Sequence, residues 1–127
     1  MPDFSPSNKT ILILVSDPLM RVVIRDALAD GGYHVVTSSE LGEAVDRVRE
    51  LRPDLLITRP YISTMPGQTA AGYLRSRRPG LPVLIVSGFM EDDRVRDQNA
   101  IENFYIFPKP FTREALLEQV RQVLAGG

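Results

Sequence analysis

Five short apolar runs punctuate the chain, and the stretches between them are mixed in character. Ile11-Leu12-Ile13-Leu14-Val15 is continuously apolar and rich in β-branched residues, the pattern of a strand buried on both faces of a parallel sheet. Similar runs recur at residues 34–37, 55–58, 82–86 and 104–107. Between them the period changes. Met20, Val23, Ile24, Ala27 and Leu28 fall at i, i+3, i+4, i+7 and i+8, which puts them on one face of a helix. Pro18 suits the first turn of that helix, and Gly31-Gly32 suits its end. Leu41, Ala44, Val45 and Val48 repeat the spacing. So do Leu116, Leu117, Val120, Val123 and Leu124, with Thr112 placed to cap the helix.

Strands alternating with helices predict an α/β fold. The expected form is flavodoxin-like: a doubly wound five-stranded parallel sheet, order 2-1-3-4-5, with five helices. The fourth helix has the least support. Residues 91–103 carry five acids, two arginines and only Val95, Ala100 and Ile101 as apolar residues, so a short, mobile helix with a solvated acidic face is expected. Residues 1–9, with two prolines, read as a flexible N-terminal tail before a single domain at residues 10–125. Ligands of such sheets bind at the carboxyl ends of the strands. That rule singles out residues 16–17, 59–67, 87–88 and 108–110.

Composition narrows the chemistry. A chain of 127 residues suits one compact domain. With no cysteine and one histidine, disulfides, thiolate metal sites and histidine-rich zinc sites are excluded. A net charge of −1 gives no electrostatic case for nucleic acid. No apolar run approaches the ~20 residues that span a bilayer, and the N-terminus lacks a signal-peptide core, so a cytoplasmic protein is the default. Val15-Ser16-Asp17-Pro18 is not a phosphate-binding loop, which argues against a nucleotide or flavin enzyme.

The order and spacing of several elements carry a resemblance. Residues 11–18 and 53–58, Met65-Pro66-Gly67, Val86-Ser87-Gly88 and Lys109-Pro110-Phe111 together resemble a response-regulator receiver domain of the CheY-like superfamily, over residues 10–125. The resemblance implies a pocket of Ser16, Asp17, Arg59, Ser87 and Lys109. It also implies a cis bond before Pro110 and a switch residue at Ile106. Departures from the family pattern are as informative as the matches. The phospho-acceptor aspartate of the family falls at Arg59, and residues 55–90 hold no Asp or Glu, so no shift of register supplies one. The acidic pair that helps bind Mg²⁺ is reduced to Ser16-Asp17, and the switch aromatic is an isoleucine. Asp54 begins the third strand, roughly 16 Å from its far end.

With one carboxylate, Mg²⁺ binding in the usual pocket is not expected, and no other cofactor is. Asp17 reads equally as a helix cap. Arg59 and Lys109 aimed at one pocket roughly 5 Å apart would repel by about 3 kcal/mol at an effective dielectric near 20. Either Arg59 bridges to Asp17 or it swings out to solvent, and the bridge is the preferred arrangement.

The function expected is that of a pseudo-receiver: a non-phosphorylatable, non-enzymatic two-component or phosphorelay signalling protein that acts by protein–protein contact. By the resemblance, a histidine kinase or relay partner docks on Leu19, Met20, Val23 and Phe111. A homodimer through the fourth and fifth helices, near Tyr105, Arg113 and Arg121, is a further expectation. Arg75-Ser76-Arg77-Arg78 reads as a solvated helix end. The 60–66 loop, with a short insertion, reads as a cap or partner patch. The rival reading is an atypical response regulator phosphorylated at a non-Asp residue such as Ser63 or Thr64. An acid-stable phosphoester would mark it.

Overall fold

The computed structural model describes residues 9–59, 61–62, 65–87, 104–108 and 112–125. Its frame is a parallel sheet. In chain order the strands are β1 (Thr10–Leu14), β2 (His34–Ser38), β3 (Leu55–Thr58), β4 (Tyr61–Ile62), β5 (Met65–Pro66), β6 (Val83–Ser87) and β7 (Phe104–Pro108). Five of them pair in the order β2-β1-β3-β6-β7, and all of these pairings are parallel. The strand order agrees with the pattern read from the apolar runs. Four helices lie among the described residues: α1 (Pro18–Asp30), α2 (Leu41–Leu51), α3 (Gly67–Arg75) and α4 (Arg113–Leu124). The helix expected at 91–103 falls outside the described residues, as does most of the expected N-terminal tail.

Strand alternation divides the core in two. Ile11, Ile13, Val15, Leu55, Ile57, Leu84 and Val86 meet α1 and α4 through Ile24, Leu28, Leu116 and Val120. Leu12, Leu14, Leu56, Val83 and Ile85 face the other way and meet α2 and α3 through Ala44, Val48, Ala70, Ala71 and Leu74. Burial on both faces is why these strands read as unbroken apolar runs. The stripe on α1 is narrower than its spacing suggested. Ile24, Ala27 and Leu28 are buried, Met20 is half-buried, and Val23 is 48% exposed.

Local chemistry sets the helix ends. Asp17 caps α1 and Thr112 caps α4, with Thr112 Oγ1 accepting from Ala115 N at 3.0 Å. Gly31 closes α1 where α4 crosses close by: a Cβ there would stand 2.6 Å from Leu117 Cδ2.

One small element has no counterpart in the apolar pattern. Tyr61 pairs with Pro66 and Ile62 with Met65 in an antiparallel two-stranded ribbon, β4–β5, which leads into α3. The 60–66 loop thus holds short backbone pairing. Two-residue strands are too brief to leave a period in sequence.

The basic run after α3 departs from the solvated reading. Arg75 Nε donates to Leu81 O at 2.8 Å, and Arg78 Nε donates to Pro53 O at 2.9 Å. Both side chains are half-buried latches that tie the loops entering β3 and β6. Arg77 alone among the three arginines is exposed.

Candidate functional site at the carboxyl end of the sheet

Register brings the strand ends together. Leu14 pairs with Thr58, Thr58 with Ile85, and Ser87 with Pro108. Ser16, Arg59 and Ser87 therefore leave the sheet along one edge, beside the crossover between β1 and β3. Lys109, Pro110 and Phe111 continue the chain from β7 but lie outside the described residues, and the expected cis bond lies with them. Ile106 sits within β7, opposite Ile85.

Asp17 is committed to its helix. Its backbone is extended, φ −74° and ψ 115°, and Oδ1 accepts from Leu19 N at 3.0 Å. The side chain is exposed and serves as an N-cap, favoured also by the helix dipole. The preferred bridge from Arg59 to Asp17 is not made among the described ion pairs. One oxygen of that carboxylate is engaged by its own helix terminus. The alternative, Arg59 in open solvent, is not adopted either: the residue is half-buried and its Nε is buried. Thr58, fully buried, donates from Oγ1 to Arg59 O at 3.4 Å.

Sequence reasoning missed Arg21. It lies on the first turn of α1 and folds back, donating from Nη1 to Val15 O at 2.7 Å and Ser16 O at 3.4 Å. The guanidinium so fixes the β1–α1 loop from behind. Its position four residues after the cap was the available signal, but many surface arginines share that spacing.

The outer face of α1 carries apolar surface. Leu19 is 72% exposed, Val22 40% and Val23 48%. Leu19 and Val23 are expected from the sequence as docking residues; Val22 is exposed beside them. On the proposed dimer face, Arg113 is tied to Asp30 of α1 (Nη1 to Oδ2, 2.6 Å) and Arg121 to Glu118 within α4.

The far end of the sheet holds the groups that cannot serve this site. His34 is the first residue of β2 and is exposed. Asp54 precedes β3, where its Oδ2 accepts from Thr10 N at 2.8 Å.

Comparison with known proteins decides the family. The family model for the response regulator receiver domain matches residues 11–121. The chain belongs to this family. Receiver domains are typically non-enzymatic signalling modules of two-component systems, in which they interact with histidine kinases. The response regulator MprA of Mycobacterium avium is 31% identical over 115 residues, covering 90% of this chain and 50% of MprA. The probable transcriptional regulatory protein TcrX of Mycobacterium tuberculosis is 28% identical over 116 residues, covering 91% of this chain and 49% of TcrX. The chain thus spans about half the length of these curated relatives. Among solved structures, the chemotaxis protein CheY4 of Vibrio cholerae superposes with a TM-score of 0.80 at 23% identity, covering 91% of this chain and 98% of that one. No helix among the described residues is long and apolar enough to cross a membrane.

Proposed function

We propose that this receiver domain signals by protein contact without accepting a phosphoryl group. One observation carries the reading: the residue that follows β3 at the carboxyl edge, where the family places its acceptor carboxylate, is Arg59. A guanidinium cannot form the acyl phosphate, and it stays protonated at any practical pH. The remaining donors do not fit Mg²⁺ either. That ion takes oxygen ligands in octahedral geometry, usually with one or two carboxylates. Here Ser16 brings no carboxylate and Asp17 Oδ1 is bound to Leu19 N. Arg59 brings a cation in place of a ligand.

In this reading the working surface is the face of α1 around Leu19, Val22 and Val23, and the partner is a histidine kinase or a relay protein in the cytoplasm. A pseudo-receiver that docks without taking the phosphoryl group would titrate or tune its kinase.

Incubation with the purified partner kinase and labelled ATP tests this. Stable binding is expected, with no label moving to the chain. Leu19→Glu should weaken that binding about tenfold or more, as for a central apolar contact. Acid-labile label on the chain would overturn the proposal by revealing an acyl phosphate. Acid-stable label would overturn it in favour of a hydroxyl acceptor.

A further inference from the structure

A polar cavity of about 150 Å³ lies between the end of β2 and the start of α2, lined by Arg21, Thr37, Ser38, Ser39 and Glu43. Among the described residues its lining does not include Arg59, and the function proposed above makes no use of it. Ser38 is only 2% exposed, and its Oγ is buried with no hydrogen-bond partner. Leaving a buried hydroxyl unsatisfied costs roughly 1–3 kcal/mol, so its place on the cavity wall calls for an occupant.

The charges around the cavity say what kind. Arg21 is pinned through Nη1 to Val15 O and Ser16 O. Among the described residues its other guanidinium nitrogens make no hydrogen bond. Glu43 is the one carboxylate in the lining, and it is already engaged. Its Oε1 accepts from Ser39 N at 3.1 Å, and Oε2 faces Arg47 Nη2 at 3.8 Å. Helix α2 starts here, and its N-cap residue Glu40, which is exposed, makes no side-chain capping bond. The first-turn N–H groups add partial positive charge at that point. A guanidinium and three hydroxyls match the acceptor oxygens of a small anion.

We propose that this cavity binds a small oxyanion, a phosphate or carboxylate group, held by Arg21 and the hydroxyls of Thr37, Ser38 and Ser39. The site reaches the β1–α1 loop directly. The guanidinium that meets the ligand also holds the carbonyls of Val15 and Ser16, and Val15 N donates to Ser38 O at 3.2 Å. Occupancy is therefore felt at the root of the α1 docking face.

The test is an amide NMR titration of the full chain with sodium phosphate and, separately, sodium acetate, at constant ionic strength. Saturable shifts at Val15, Ser16, Ser38 and Ser39 are expected with at least one of them. Phosphate alone would assign a phosphorylated ligand, and acetate alone a carboxylate. Arg21→Gln should weaken binding about tenfold or more, the usual worth of a charge-assisted bond. Ser38→Ala should weaken it several-fold while the protein stays folded, because the substitution removes a buried hydroxyl without a partner. Glu43→Gln should tighten binding by removing the like charge. Three results would overturn the proposal: no saturable shift with either anion, binding unchanged in both Arg21→Gln and Ser38→Ala, or Mg²⁺ shifting these amides instead and losing its effect in Glu43→Gln.

Discussion

The two ends of the sheet follow different rules. At the amino end, charged side chains are tied to backbone across long stretches of chain. Asp54 holds Thr10, Arg78 holds Pro53 and Arg75 holds Leu81, and each of these contacts secures a segment entering a strand. At the carboxyl end, charge serves local turns. Asp17 caps the helix that follows it, and Arg21 clamps the loop just before it. The amino end keeps the strands in register. On the proposed reading, the carboxyl end carries an arginine in place of an acceptor carboxylate without disturbing that frame. In that reading, the contacts that hold the strands and the signalling edge lie at opposite ends of the sheet.

Substitutions at the two ends should then fail in different ways. Asp54→Ala should have the largest effect on folding. It removes the acceptor of a part-buried, charge-assisted bond to Thr10 N and should lower unfolding free energy by about 2 kcal/mol, read from the urea midpoint. The 3.9 Å pair with Arg78, about 29% exposed on the Asp54 side, should add little to that loss. Partner binding should be unchanged. A loss of binding in a still-folded Asp54→Ala protein would break the division between the two edges.

Asp17 sharpens the comparison. Asp17→Ala should cost about 1 kcal/mol, as for a lost N-cap, whereas Asp17→Asn should stay within a few tenths, because asparagine caps as well. Equal losses in the two variants would show that the carboxylate charge, and not its capping bond, matters there.

The smallest effect concerns pH. Tyr33 closes α1 against the core, and burial raises its phenol above the ordinary value of 10.0, with the Arg121 charge opposing. A raised value in the folded state gives stability that is present below about pH 10 and is lost as pH rises through the folded value. Tyr33→Phe should flatten that alkaline loss in thermal melts taken from neutral pH upwards. An unchanged alkaline limb would place the sensitive group elsewhere.

Much of this architecture was legible in the sequence because burial on both faces imposes unbroken apolar runs. The apolar run 55–58 matches the third strand, although Asp54, expected to begin it, precedes it, and Pro18, Asp17 and Thr112 marked helix starts through chemistry that acts locally. What stayed hidden depends on three-dimensional reach. Arg75 and Arg78 looked like a solvated run because their acceptors, Leu81 and Pro53, are backbone atoms brought near only by the fold. Ser38 drew no reading from sequence, and nothing local reveals that it is buried beside Arg21 and Glu43. The bridge from Arg59 to Asp17 followed from charge, and of the two roles open to Asp17 the described contacts show the cap on α1.

The central claim, that the carboxyl edge no longer takes a phosphoryl group, is tested most directly with Mg²⁺ and beryllofluoride, a mimic of the acyl phosphate. Amide and fluorine NMR would follow the titration. The account predicts no protein-bound fluorine resonance and no saturable shift at Arg59 or Ser87. A bound resonance with saturable shifts at those two residues would contradict it and place a working acceptor at this end of the sheet.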